Sequence, residues 1–159
     1  MVDIVTLIHD YLKSDPVFSE IKDWNKANGF ISLKDSGISV GIDRERYESG
    51  NRQHDNCTAH VKIFCWLRHK DQAIGERKVR ELAHEIRMSL TEDEQRTLNG
   101  EVTGGFVSGI EYLTTSADST LFLHIAEITY EVEYQEDRMR PVDAPTVLSL
   151  SHEIQLEEE

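Results

Sequence analysis

Cys57-Thr58-Ala59-His60-Val61-Lys62-Ile63-Phe64-Cys65-Trp66-Leu67-Arg68 is the stretch on which the fold turns. Successive side chains of a strand point to opposite faces, so every second residue shares a surface. Cys57, Ala59, Val61, Ile63, Cys65 and Leu67 make a purely apolar set that must face a core. Thr58, His60, Lys62, Phe64, Trp66 and Arg68 make the other set, polar at its start and aromatic towards its end. That second face is therefore expected to be open at one end and covered at the other. Downstream the period changes from two to that of a helix: Ile74, Val79, Leu82, Ala83, Ile86 and Leu90 form one stripe over residues 73–90. On that helix Glu76 and Arg80 are spaced to pair on the outer side.

The rest of the chain arranges itself around this strand and helix. Ile4, Val5, Ile8, Tyr11 and Leu12 give a first helix over residues 2–14, stopped at Ser14-Asp15-Pro16 because the residue before proline is pushed out of helical geometry. Ile38, Val40 and Ile42 alternate with Ser39, Gly41 and Asp43, which reads as a short strand over 38–43. Residues 44–56 show no periodicity and read as a long polar loop. Thr91-x-x-Glu94 resembles a capping box within a polar connection over 91–104. Phe106, Ser108, Ile110 and Tyr112 alternate with Val107, Gly109, Glu111 and Leu113 in a further strand. In a last strand Phe122, Ala126, Ile128, Tyr130, Val132 and Tyr134 oppose Glu127, Thr129, Glu131 and Glu133, and residues 115–120 suit a hairpin link. The expected fold is α+β: a mixed, mostly antiparallel sheet of about four to five strands flanked by two main helices, in one domain over 1–134. Residues 135–159 read as an acidic linker with Pro141 and Pro145, then a strand-like arm in which Leu148, Leu150, His152, Ile154 and Leu156 alternate.

The length of 159 residues suits one domain with a real core, and 38% hydrophobic with 30% charged residues is an ordinary globular composition. No run approaches the roughly 20 apolar residues that span a bilayer. The start, Met1-Val2-Asp3-Ile4-Val5, lacks the basic and then apolar pattern of a signal peptide, so a cytosolic protein is expected. The net charge of −13 is unevenly placed. Residues 1–90 carry 14 acidic and 14 basic side chains, whereas 91–159 carry 16 acidic ones against Arg96, Arg138 and Arg140. A chain that grips nucleic acid gathers cations; this one does the reverse. The exception to weigh is a local patch of Arg44, Arg46 and Arg52 with Arg68 and Lys70.

No motif carries a recognisable chemistry. His54, Cys57 and His60 invite a metal reading, but a spacing of three on a strand puts Cys57 and His60 on opposite faces. Cys57 and Cys65 lie about 26 Å apart along a strand at roughly 3.3 Å per residue, which excludes a disulfide. Gly105-Phe-Val-Ser108-Gly109 has the wrong spacing for a nucleophile elbow. There is no phosphate-binding loop and no dinucleotide fingerprint. Glu127, Glu131 and Glu133 read as a solvated or lumen-facing surface rather than a catalytic pair. No catalytic residue, cofactor site or metal site is assigned. The competing reading is a small-molecule binder or enzyme whose pocket would be lined by Phe64, Trp66 and His124.

The order helix, strand, polar loop, strand, helix, strand, strand resembles the tail-terminator (tail-completion) and minor tail proteins of long-tailed bacteriophages. The resemblance runs from about Val2 to Tyr134. It is carried by the helix Ile4–Leu12, the strand Ala59–Trp66 leading into the helix Ile74–Leu90, and the closing strand with Leu123-His124-Ile125-Ala126. It implies a subunit that closes into a homo-oligomeric ring, typically of six copies. Such a ring caps the tail tube and meets the head connector, with tube and connector proteins as partners and DNA passing through without specific binding. It implies no membrane, cofactor or chemistry, and assembly in the bacterial cytoplasm followed by residence in the virion tail. A head-tail stopper or another minor tail component shares the same pattern. Under this reading the expected subunit contacts are Arg44, Arg46 and Tyr47 of the polar segment, Lys62, Phe64 and Trp66 of the mixed strand face, and Leu148, Leu150 and Ile154 of the arm.

Overall fold

In a computed structural model, described for residues 1–92, 96–118 and 120–138, the strand that opens the sequence reading is the middle of one five-stranded sheet. The elements in chain order are α1 (Ile4–Lys13), a short 3-10 turn (Pro16–Phe18), β1 (Asp23–Asn25), β2 (Ser36–Ser49), β3 (His54–His69), α2 (Gln72–Leu90), β4 (Gly104–Ser116) and β5 (Phe122–Asp137). The strand order across the sheet is β1-β2-β3-β5-β4. Only β1 pairs in parallel; the other three pairings are antiparallel. This is the expected α+β fold. Glu94 of the capping-box pattern and the arm residues Leu148, Leu150, His152, Ile154 and Leu156 lie outside the described residues.

Both helices cover the same face. Asp3 caps α1 by accepting from the Thr6 amide at 3.1 Å, and Asp71 caps α2 by accepting from the Ile74 amide at 2.9 Å. Ile4, Ile8 and Leu12 of α1 and Val79, Ala83, Ile86 and Leu90 of α2 are buried against Ile38, Val40, Ala59, Val61, Ile63, Cys65, Ala126, Ile128, Tyr130 and Val132 of the strands. The helices are tied to each other where Tyr11 donates to the Ser89 carbonyl at 3.1 Å and the Ser89 hydroxyl donates to Asp15 at 2.8 Å.

Two strand assignments change. Residues 44–49 are not loop: β2 runs on to Ser49 and β3 begins at His54, so residues 44–56 are mostly a hairpin arm closed by a short turn. The arm escapes a periodicity test because both of its faces meet solvent, with every residue from Asp43 to Ser49 exposed. A bulge between Ile42 and Arg44 marks where the buried strand becomes the exposed one. In β4, a bulge between Val107 and Gly109 breaks the expected alternation. Phe106 therefore shares a face with Glu111 and Leu113, while Val107 shares one with Ile110 and Tyr112.

The base of the open face is covered by irregular chain rather than by a helix. Ser39 donates its hydroxyl to the Ala27 carbonyl, and Arg68 donates to the Lys34 carbonyl. Gly41 is required there, because a Cβ would lie within 2.5 Å of the Asn28 backbone and side chain. Trp66 is buried on the same face, and its ring fills the space a side chain at Gly37 would take.

Candidate functional site

The functional candidate is the sheet face that α1 and α2 leave open, together with the sheet's two outer edges. The strand registers place Arg44, Arg46 and Glu48 of β2 on this face. Thr58, His60, Lys62 and Phe64 of β3 lie beside them, then Glu127, Thr129, Glu131 and Glu133 of β5, and Phe106, Glu111 and Leu113 of β4. Its charge is graded: arginines on the β2 side, glutamates on the β4–β5 side. In the middle the two signs are matched. Lys62 reaches Glu127 at 2.9 Å and donates to Thr129 at 2.9 Å, and His60 lies 3.2 Å from Glu131. Arg44 approaches the His60 ring at 3.3 Å. Cross-strand pairs of this kind are worth about 0.2–1 kcal/mol each. Their larger effect is to leave no continuous row of cations for a polyanion to follow.

Both edges are bare among the described residues. No strand pairs with the outer side of β4, whose Phe106, Tyr112 and Leu113 are 46%, 43% and 61% exposed. On the opposite edge β1 covers only Gly37, Ile38 and Ser39 of β2, so the stretch beyond it has an unpaired backbone. Such edges are templates for another strand.

The expected contact residues divide. Arg44, Arg46 and Tyr47 project from the arm and are exposed, and Lys62 and Phe64 are half-buried on the open face. Tyr47 faces the other way, donating to Glu45 at 2.7 Å; that acceptor and burial push its hydroxyl up to about 12. Trp66 is fully buried inside its own subunit and offers nothing to a neighbour. Leu148, Leu150 and Ile154 lie outside the described residues.

Among the described residues no catalytic constellation converges. His124 pairs with Leu67 and Thr114 on the helix-covered face, opposite Phe64 and Trp66, so the three cannot line one pocket. Its ring is fully buried beneath the first turn of α2, with Nδ1 3.0 Å from the Thr114 hydroxyl. Burial lowers its pKa, while the nearby Glu76 raises it and His69 lowers it further. Sequence reasoning missed how tightly it is held; the signal was Gly75, one residue after Ile74 in an otherwise ordinary helix. Beside it, Gln72, Glu76, Val79, Arg80, Tyr112 and Thr114 line an open groove of about 480 Å³ between α2 and β4. The ion pair spaced by one turn on this helix joins Arg77 to Glu81 at 3.8 Å, and Glu76 instead accepts from Gln72.

Cys57 and Cys65 are buried free thiols. Burial raises the pKa of both, that of Cys65 to about 12, far from the range of a nucleophilic thiolate. Cys57 points to the helix-covered face, whereas His54 and His60 pair with Asp137 at 2.5 Å and Glu131 at 3.2 Å. Among the described residues no three His, Cys, Asp or Glu side chains gather as a metal site, and no helix is long and apolar enough to cross a membrane. The arginine patch is also divided. Arg44 pairs with His60, and Arg68 lies eight residues along β3 from His60, about 26 Å at 3.3 Å per residue.

No protein-family model matches this chain, and no curated protein matches it in sequence. Among solved structures, a chain from the virion of native gene transfer agent (GTA) particle superposes with a TM-score of 0.43 at 12% identity. The match covers 82% of this chain and 94% of that one. So loose a superposition carries no weight for function, which has to be read from the face, its edges and the sequence resemblance.

Proposed function

We propose that this chain is a structural subunit of a phage-like particle, closing into a homo-oligomeric ring that ends a tail tube and joins it to the head connector. The observation that carries the reading is the sheet's asymmetry. Two helices seal one face, while the other stays open over its charged half and ends in a bare edge on each side. A subunit with two different bare edges makes head-to-tail contacts, and these close into a ring when the rotation between copies allows it. With the helices outward, the open face lines the lumen. Its lysine is neutralised by Glu127, and Glu111, Glu131 and Glu133 keep the surface from holding phosphates. Salt screens such a field over about 8 Å at physiological strength. DNA can then pass close by without being retained. A head-tail stopper would use the same fold on the same particle.

The test is solution mass by light scattering after size exclusion, over a concentration series at two salt levels, with negative-stain imaging of the largest species. Closed rings, or a monomer that becomes a ring as concentration rises, are the expected result. Rings should also fail to retain duplex DNA at low salt. A strict monomer or tight dimer throughout, or a ring that holds DNA, would overturn the tail-ring reading.

A further inference from the structure

We infer that neighbouring copies join by adding the β2 edge of one to the β4 edge of the next, antiparallel, with Arg46 of one copy opposite Glu111 of the other. This deepens the ring reading and rests on it for the closed symmetry. The direction follows from strand parity: β2 to β3 to β5 to β4 reverses three times, so β4 runs against β2 of its own chain. A rotation about an axis roughly along the strands preserves direction, so β4 also runs against β2 of the neighbour. Antiparallel pairing is slightly the more stable kind and asks nothing further of the chain.

The offset follows from two independent constraints. Strands in a closed sheet tilt by about 35–45° to the axis. Crossing four strands at about 4.8 Å each advances about 19 Å, so a copy at the same height is displaced along the strands by about 13–19 Å, or about four to six residues. An odd offset would turn the neighbour's open face over, which leaves four or six. Without offset, Arg46 stands level with Thr58, Glu133 and Gly104. An offset of about four would drive the far end of β4 into β1 of the neighbour, which occupies the edge of β2 at Gly37 to Ser39. An offset of about six clears it and sets the bare stretch from Ile42 to Ser49 against β4 from Val107 to Thr114. Arg46 then meets Glu111, and the stem of Arg44 lies against Leu113, which is 61% exposed in the single chain. The basic side of one open face thus meets the acidic side of the next, and both bare edges disappear.

The experiment uses the full chain. Arg46→Glu is expected to raise the concentration needed for assembly at least tenfold, Glu111→Arg to do the same, and the two together to restore assembly. Because Cys57 and Cys65 are buried, Arg46→Cys and Glu111→Cys placed in separate copies should give a disulfide-linked dimer on mild oxidation of the mixture, and neither variant alone should. Wild-type rings that survive Arg46→Glu unchanged, or a mixture that does not cross-link, would overturn the interface and leave the ring reading standing. A wild-type chain that never assembles would overturn the ring reading itself. Assembly lost on removing residues 139–159 while the mixed cysteines fail to link would show the chain's own arm, not a second copy's β2, to occupy β4.

Discussion

Gly75→Ala should destabilise this protein although alanine is the better helix former, and the reason is a single buried ring. A methyl at position 75 would have Nε2, Cδ2 and Cε1 of His124 all within 2.7 Å. The nearest of these lies at 2.0 Å, whereas non-bonded heavy atoms rest at about 3.5–4.0 Å, so α2 would have to lift by about 1.5 Å, or the imidazole would have to leave the Thr114 hydroxyl. Overpacking of this kind costs about 3 kcal/mol at its upper end. The gain in helix propensity from glycine to alanine offsets about 1 kcal/mol, for a net loss of about 2 kcal/mol. At this chain length that is a fall in Tm of about 4–8 °C. In a His124→Ala background the obstacle is gone, and the same substitution should stabilise by about 1 kcal/mol, a coupling of about 3 kcal/mol between the two positions. The assay is urea unfolding of all four variants at pH 8 and one low protein concentration, followed by the fluorescence of buried Trp66 and half-buried Trp24. A neutral or stabilising Gly75→Ala in the parent chain would refute the close docking of α2 on β5.

The same histidine predicts a pH dependence. Its folded pKa lies below the ordinary value of about 6.5, so its contribution to stability is complete above that value and is lost as the pH falls from there through the folded pKa. Urea midpoints from pH 8 to pH 5 should fall on the acid side, and His124→Asn should remove that part of the slope; an unchanged slope would count against it. Neither cysteine should react with a thiol reagent at pH 8 in the native protein, and both should react in urea, since burial raises both thiols. Rapid native labelling of Cys65 would contradict its place in the core.

What was legible in the sequence was whatever one face buried. The alternation from Cys57 to Leu67 and from Ala126 to Tyr134, and the stripe from Val79 to Leu90, each name a surface that water cannot reach, and all three appear where they were expected. The arm was not legible, because Arg44-Glu45-Arg46-Tyr47-Glu48-Ser49 is wet on both sides and its strand is held by pairing with β3 alone. The bulge at Ser108 was hidden for a related reason: a one-residue slip leaves apolar residues on both faces of β4, so strict alternation still looked sound. Of the candidate contacts, Arg44 and Arg46 lie exposed on the arm. Trp66 was misassigned because its ring is buried over Gly37 of the neighbouring strand, a cross-strand contact that the alternation of one strand does not show.

The order of the strands also governs how the molecule comes into being. β5 is the last described strand of the chain, yet it lies between β3 and β4, with Asp55 beside Glu136 and Arg68 beside Leu123. On a ribosome, α1, β1, β2, β3, α2 and β4 emerge before the strand that joins the two halves of the sheet. Until it arrives, the edge of β3 that β5 will cover is unpaired and part of the apolar stripe of α2 has no sheet beneath it. Long-range closure of this kind is slow, because the loop entropy must be met before the contacts form. The nascent chain therefore passes through an adhesive half-sheet, and the acid-rich segment following α2 keeps that intermediate charged while it waits for its centre.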